Sequence, residues 1–163
     1  MKNLTVNTAL DDCEDELVQL EDAMKLLGHT SPIGMFLTRY AIIKACGTIE
    51  RAFKSLVADH AENMQSQQVK NFLQNKVRES SMNPKENNIT QLLKSFDPQW
   101  STDFCNKLKI LPDKDRKKQS LHSLVEARNA FAHGGNPTTT IGQVKVYFCD
   151  SREIMGIVDE III

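Results

Sequence analysis

Apolar residues recur at helical spacing between positions 31 and 60, and this periodicity is the strongest constraint on the fold. Ser31 is a suitable N-cap and Pro32 a suitable first helical residue, so a helix is predicted to begin here and to run to about His60. Five apolar residues inside it step by four, three, four and three positions: Ile42, Cys46, Ile49, Phe53 and Leu56. This stripe predicts one long helix with a face buried in a helical core.

The rest of the chain repeats this pattern in shorter segments that are separated by turn residues. Only seven Gly and five Pro occur in 163 residues, which favours helices over a turn-rich all-β fold. Asn83-Pro84 and Asp97-Pro98 are breaks, and Gly28 is a suitable residue to follow the first helix. Helices are predicted at about Thr8–Leu27, Gln65–Arg78, Glu86–Phe96 and Ser101–Leu108, and from Pro112-Asp113 to Gly134-Gly135. In the helix Gln65–Arg78, the side chains expected to face inward are those of Val69, Phe72, Leu73 and Val77.

The C-terminal region has a different pattern. Residues Gln143 to Phe148 alternate between polar and apolar side chains, as a strand does, so an extended segment or hairpin arm is predicted there. Ser151 is the predicted N-cap of a final helix. Residues 1–163 are therefore expected to form one all-α domain. It would be a bundle of four to five main helices plus short helices, with a short extended segment near the C-terminus.

Bulk composition favours a protein of the cytoplasm. The net charge is −1, so any contact with nucleic acid has to come from a local patch. The sequence has no apolar run of about 18 residues, and its start is acidic where a signal peptide would be apolar, so neither a membrane span nor a leader is expected. The four cysteines form no CxxC pair and are expected to be reduced, buried thiols.

The stretch LHSLVEARNAFAHGG, residues 121–135, carries the residues best suited to chemistry. On a helical wheel Arg128 lies in the middle of an apolar face, where an unpaired guanidinium is costly. A polar stripe lies on one flank of this face and contains His122, Glu126, Asn129 and His133. Arg128, Asn129 and His133 are therefore predicted to gather where the core meets a cleft, beside two glycines that allow a ligand to approach the backbone.

Each of these residues also has a purely structural interpretation. Arg128 would serve as one half of a structural ion pair, and His133 would interact favourably with the C-terminal end of the helix dipole. The functional interpretation rests on their joint occurrence, because a cation, an amide and a titratable base stand together within six positions.

Three segments, in the same order, resemble those of the HEPN superfamily. ARNAFAHGG is similar to its Arg-(four to six residues)-His motif, which usually has a polar residue after the arginine. ACGTIERAFKSL, residues 45–56, is similar to the second helix of HEPN families found beside prokaryotic defence genes, and NPKENNITQLLKSF, residues 83–96, to the loop and helix that follow. The resemblance covers roughly residues 10 to 160. It is closest to the HEPN group named after its fusion to RiboL-PSP proteins.

This resemblance implies a helical bundle that dimerises and, in active members, cleaves RNA without a metal. It assigns Arg128 and His133 as catalytic residues, with Asn129 in a supporting role. Glu50, beside the apolar stripe of the second helix, is suggested as the partner that orients Arg128, and Gly134 as a further supporting residue. Many HEPN domains of this kind are inactive or serve as binding modules, so the resemblance leaves both functions open.

The chemistry of RNA cleavage fits these residue types. RNA carries its own nucleophile, the 2′-hydroxyl, and a nuclease must supply a base, an acid and positive charge on the phosphate. His133 suits the first two tasks because a histidine side chain can both accept and donate a proton, and Arg128 suits the third because arginine supplies a fixed positive charge. No carboxylate cluster or HExxH motif is present in the sequence, so neither a metal nor another cofactor is expected.

A basic run precedes this motif. Residues 107–118 contain six Lys or Arg against two Asp. The run is either a solvated helix start or an electrostatic track for an RNA chain. The residues predicted to bind RNA are Lys114, Arg116, Lys117 and Lys118.

Three functions are consistent with the sequence. The first is a metal-independent endoribonuclease of toxin or anti-phage defence type, neutralised or controlled by an antitoxin or a defence-complex partner. Because a single protomer offers one motif histidine, the expected working unit is a homodimer with a shared cleft. The second is a non-catalytic module that binds a nucleotide or scaffolds a defence complex, and the third is a purely structural helical dimer.

Overall fold

The computed structural model describes residues 1–27, 31–63, 65–135 and 138–162, and within these residues the protein is all-α with no strand. The helices are α1 (Leu4–Leu27), α2 (Pro32–Ala61), α3 (Gln67–Leu73), α4 (Glu86–Phe96), α5 (Pro98–Ile110), α6 (Lys114–Ala132) and α7 (Ile141–Ile161). The all-α fold class is confirmed. In the described part of the chain, no helix combines the length and the apolarity that crossing a membrane requires.

Helices α2 and α7 pack against each other and form the centre of the bundle. Helix α7 packs against α1, α2, α5 and α6, and α2 packs against α1, α6 and α7. The predicted apolar stripe of α2 is confirmed, because four of its five residues are fully buried and Leu56 is 3% exposed. A single hydrophobic cluster extends from Val6 to Ile162, so the helices of the described residues share one core.

Most helix positions agree with the sequence predictions, whereas several ends are shifted. Helix α4 has the predicted bounds, and α2 ends one residue later than predicted. Helix α5 begins three residues earlier, because the Asp97 carboxylate caps it by accepting from the Gln99 amide at 2.7 Å. Helix α1 also begins earlier, at Leu4. The predicted residue after α1, Gly28, lies outside the described residues.

The prediction for the third helix was wrong in two of its inward-facing residues. Leu73 and Val77 are buried, but Val69 is 38% exposed and Phe72 61% exposed. The helix is divided, because α3 gives way at Gln74 to a π-helical segment that runs to Arg78. A π-helical turn shifts the residues that share a face. The part of residues 67–78 that packs against α2 is therefore the π-helical segment Gln74–Arg78.

The predicted extended segment at 143–148 was wrong, since these residues lie in α7. Val144 and Phe148, four positions apart, are fully buried on one face of the helix, whereas Val146 is 50% exposed. Thr140 is the N-cap, in a capping box with Gln143, and stabilises the start of the helix. Ser151 is therefore not an N-cap: it is buried within α7 and donates its hydroxyl to the Tyr147 carbonyl at 2.6 Å.

Alanine substitutions distinguish the helix from the strand in this region. A strand would place Val146 and Phe148 on one face, but α7 separates them. We expect Phe148→Ala to lower the free energy of unfolding by about 3–5 kcal/mol, because it leaves a cavity in the core. Val146→Ala should change it by less than about 0.5 kcal/mol, as for an exposed site. Urea unfolding measures both values, and equal losses for the two variants would contradict the helical assignment.

Candidate active site

The C-terminal end of α6 is shaped by two glycines. His133 is the residue at the C-cap, and Gly134 adopts a φ of 81°, which favours glycine. The Gly135 amide donates to the Ala130 carbonyl at 2.8 Å and the Gly134 amide to the Phe131 carbonyl at 3.0 Å, which together form a Schellman motif. A Cβ at position 135 would lie 2.9 Å from the Ala130 oxygen. The glycine pair therefore follows the C-cap His133 and ends α6, as predicted.

Arg128 is held by two polar partners at the edge of the core. Its side chain is 33% exposed, and Nη2 donates to Glu50 Oε2 at 3.3 Å. The other terminal nitrogen, Nη1, donates to Asn129 Oδ1 at 3.3 Å. The structure thus brings together three of the candidate residues, Arg128, Asn129 and Glu50. The carboxylate from α2 offsets the cost of placing the guanidinium on an apolar helix face.

Glu50 connects Arg128 to a second cation, which is buried. Its carboxylate is 13% exposed, and Oε1 accepts from Lys54 Nζ at 2.7 Å and from the Met82 amide at 3.4 Å. Glu50 therefore lies between Lys54 and Arg128. The sequence analysis missed Lys54, although its position one turn after Glu50 on the same helix was a usable signal.

Cys46 lies near this ion pair but is not poised for chemistry. Burial raises the pKa of the Cys46 thiol to about 12, and Glu50 adds to this effect, while the positive charge of Arg128 acts in the opposite direction. The thiol therefore stays protonated near neutral pH and is a poor nucleophile. Cys46 and Cys13 are buried as predicted, whereas Cys105 and Cys149 are only partly buried.

His133 is exposed and stands at the end of the same helix. Within the part of the chain that the structure describes, its side chain makes no hydrogen bond or ion pair. It lies five positions after Arg128, which corresponds to about 7.5 Å along a helix axis. His133 therefore lies near the Arg128–Asn129–Glu50 group and forms no hydrogen bond with it among the described residues, and its side chain is exposed to solvent.

An exposed apolar surface adjoins the motif, and the sequence analysis missed it. Four side chains on α2 step by three, four and three positions and are 46–64% exposed: Ile33, Phe36, Tyr40 and Ile43. We call these four residues the α2 surface. The same spacing continues by four and three positions to Gly47 and Glu50, so the α2 surface and Glu50 lie on one face of the helix. Arg39 links it to α6, since its guanidinium lies 5.7 Å from the Phe36 ring centre and 5.4 Å from that of Phe131. A second periodicity, beside the core stripe, was the available signal.

The basic run is largely engaged in ion pairs. Lys117 is 4% exposed and pairs with Glu153 at 2.6 Å, so it does not belong to a surface track, contrary to our prediction. Arg116 pairs with Asp150 at 2.6 Å and Lys118 with Glu86 at 2.9 Å, although both keep partly exposed side chains. Lys114 is partly buried. Much of the positive charge counted in the sequence is therefore neutralised by acidic residues of α4 and α7.

Two cavities in the described part of the chain lie outside the motif. The larger, about 540 Å³, is lined by residues of α1, α2 and the start of α7, including Arg39. The smaller, about 360 Å³, lies between α4 and α6 and is lined by His122, Lys85 and Lys118. Neither is lined by Arg128, Asn129 or His133. Among the described residues, no group of three or more His, Cys, Asp or Glu is arranged to hold a metal ion.

An all-α bundle with an Arg-x4-His motif at the end of one helix defines a HEPN-type domain. The model of the RiboL-PSP-HEPN family matches residues 8–163, and the chain therefore belongs to this family. No curated protein and no solved structure was found to match the chain. Membership in a HEPN-type family is compatible with a ribonuclease and with a nucleotide-binding module.

The contact between Glu50 and the buried Lys54 predicts a large loss of stability when the charge of Glu50 is removed. Glu50→Gln leaves the Lys54 ammonium buried without a counter-ion, so the free energy of unfolding should fall by about 3–5 kcal/mol. Glu126→Gln is the matched control, because Glu126 forms an exposed ion pair with Lys85, and it should leave stability nearly unchanged. Chemical denaturation checks both variants. A Glu50→Gln protein as stable as the Glu126→Gln control would show that the carboxylate is not needed as a counter-ion.

Proposed function

We propose that this protein is a metal-independent endoribonuclease that cleaves RNA by attack of a 2′-hydroxyl on the adjacent phosphate. One observation carries the proposal: the Arg128 guanidinium is held by Glu50 and Asn129 beside an accessible histidine at the same helix end. Within the described residues these two contacts engage two of its five N–H groups. The remaining donors are available for phosphate oxygens.

Each residue of the motif has a distinct role in this reaction. His133 removes the 2′-hydroxyl proton or protonates the leaving 5′-oxygen. Arg128 stabilises the negative charge that develops on the phosphorane, which is the task of a fixed cation in phosphoryl chemistry. Asn129, whose carbonyl oxygen accepts from Arg128, keeps the guanidinium in place. The product would carry a 2′,3′-cyclic phosphate.

The second proton-transfer group comes from a second copy of the chain. The reaction needs an acid and a base, and the alternative histidine, His122, is eleven residues from His133, about 16 Å along the helix. The exposed α2 surface of Ile33, Phe36, Tyr40 and Ile43 lies on the same helix face as Glu50. A two-fold axis through this surface would bury it against itself and bring two motifs to one cleft.

Basic residues outside the motif make a smaller contribution to RNA binding in this proposal. Arg116 and Lys118 are partly exposed, and Lys114 lies on the same helix start. Because Arg116 and Lys118 are already paired with carboxylates, RNA affinity is expected to depend more on Arg128 than on this run.

The proposed biological role is that of a toxin or of a defence enzyme against phage. A neutralising partner would hold the ribonuclease inactive.

A non-catalytic module that binds a nucleotide or scaffolds a defence complex is the second candidate. It is favoured by the position of the motif, which lines neither of the two cavities described above. A single protomer then offers Arg128 as a phosphate ligand without an enclosed site for catalysis. This candidate predicts nucleotide or RNA binding with no cleavage product.

His133 is predicted to be essential for cleavage and dispensable for folding. We expect the purified protein to cleave single-stranded RNA in excess chelator. His133→Ala should lower the rate by about 10²–10⁴-fold, because a general acid or base is lost. His122→Ala is the control and should keep its activity. Melting curves for both variants separate lost catalysis from unfolding.

Two results would contradict this assignment. Cleavage that depends on a divalent cation would remove the metal-independent mechanism, and cleavage that survives His133→Ala would remove the histidine from the site. Binding of RNA by a wild-type protein that yields no product would favour the non-catalytic module.

The α2 surface is predicted to form the dimer. Phe36→Glu places a charge at the centre of this surface, so the variant should sediment as a monomer at concentrations where the wild type is a dimer, and it should lose RNA cleavage. Phe72→Glu is a matched control, because Phe72 is 61% exposed against 64% for Phe36 but lies on α3. A monomeric wild type, or a dimeric Phe36→Glu variant, would contradict the proposed interface.

A further inference from the structure

A buried lysine stands behind the Arg128–Glu50 contact. Lys54 is 3% exposed, and its ammonium donates to Glu50 Oε1 at 2.7 Å, to the Arg78 carbonyl at 3.4 Å and to the Ser80 carbonyl. Three acceptors match the three N–H groups of an ammonium. Lys54 is therefore fully satisfied inside the fold. Any effect that it has on a ligand must pass through Glu50.

The two oxygens of Glu50 are divided unequally between their cations. The 2.7 Å distance from Lys54 Nζ to Oε1 is that of a strong charge-assisted hydrogen bond. The 3.3 Å distance from Arg128 Nη2 to Oε2 is a single, longer contact rather than the bidentate pair that Arg and a carboxylate readily form. Lys54 is thus the principal counter-ion of Glu50, and Arg128 is only lightly held.

We propose that Lys54 is a positioning residue that keeps Arg128 available for phosphate by neutralising Glu50. The inference rests on the proposed function, which assigns phosphate binding to Arg128. It adds the reason why the positive charge of Arg128 is not neutralised by Glu50. Lys54, Glu50 and Arg128 together carry a net charge of +1. Because the lysine is buried, this charge is displayed at the exposed end of the group, on Arg128.

Removing the lysine charge should make Arg128 the principal counter-ion of the Glu50 carboxylate. With no ammonium at Oε1, the buried carboxylate has Arg128 as its remaining cationic partner in this group, and a bidentate pair becomes the stable arrangement. One further N–H group of Arg128 is then engaged by Glu50, in addition to the one that already contacts it, and the local charge falls from +1 to zero. Phosphate binding by Arg128 should be lost although Arg128 itself is unchanged.

Salt dependence of binding to an uncleavable RNA tests this idea. A single-stranded 2′-O-methyl oligonucleotide lacks the nucleophile, so binding is measured without cleavage. Each phosphate contact contributes about 0.7 to the slope of log affinity against log salt for single strands. We expect Lys54→Met to reduce the slope by about 0.7, as Arg128→Gln does. The double variant Glu50→Gln/Lys54→Met should return it to the wild-type value, because the amide oxygen at position 50 can still accept from Arg128 but does not neutralise its charge.

The controls separate positioning from stability and from net charge. Lys44→Met removes a charge from the same helix, where Lys44 pairs with Glu16 away from Arg128, and should leave the slope unchanged. All slopes are measured below each variant's melting transition, so a merely structural lysine would lower the melting temperature without changing the slope. If Lys54→Met does not fold, Lys54→Gln takes its place, since it removes the charge and keeps N–H donors for Ser80 and Glu50.

The outcomes distinguish this inference from the proposed function. A normal slope for Lys54→Met beside a reduced slope for Arg128→Gln would overturn the role of Lys54 and leave Arg128 as a phosphate ligand. A normal slope for Arg128→Gln would overturn both. A reduced slope for Lys54→Met that the double variant restores would support the inference even if the wild type leaves cleavable RNA intact, which would overturn the ribonuclease function alone.

Discussion

The contact between the Glu50 carboxylate and the Arg128 guanidinium is the one on which the candidate site depends. It joins α2 to α6 at the edge of the core, where an arginine without a partner would destabilise the bundle. Glu50 can hold Arg128 there because Lys54 already supplies a counter-ion for the carboxylate. The same set of contacts thus stabilises a buried carboxylate and leaves a cation at the surface, beside the histidine that ends α6.

Helix α2 has one face in the core and a second face whose two ends differ in exposure. One face fills the core through Ile42, Cys46, Ile49, Phe53 and Leu56. A second face is apolar and exposed in its first half, carries Glu50 in its middle, and is covered by the π-helical segment near Lys54. The proposed dimer surface, the proposed site and the buried lysine therefore lie in sequence along one side of a single helix.

Membership of the RiboL-PSP-HEPN family and the local geometry support different parts of the functional argument. The family accounts for the all-α fold and is compatible with RNA cleavage and with nucleotide binding. The geometry adds the arrangement of Arg128, Asn129 and Glu50 and the accessibility of His133. It also reduces the weight of the basic run, since Lys117 is buried against Glu153 and its neighbours are paired. Charges counted along a sequence overestimate a binding surface when their partners come from distant helices.

The sequence by itself determined the helical class, the core stripe of α2, the bounds of α4 and the end of α6. These features depend on local spacing, capping and the backbone freedom of glycine, which neighbouring residues encode. It also suggested Glu50 as the partner of Arg128, but the Lys54 contact and the division of the two Glu50 oxygens depend on how α2, α6 and the segment after α3 pack together. Tertiary structure likewise decided that residues 143–148 are helical, because Val144 and Phe148 satisfy both a strand and a helix pattern until the core selects one face. The exposure of Phe72 and the burial of Lys117 have the same origin: whether a side chain meets solvent is set by elements far away in the chain.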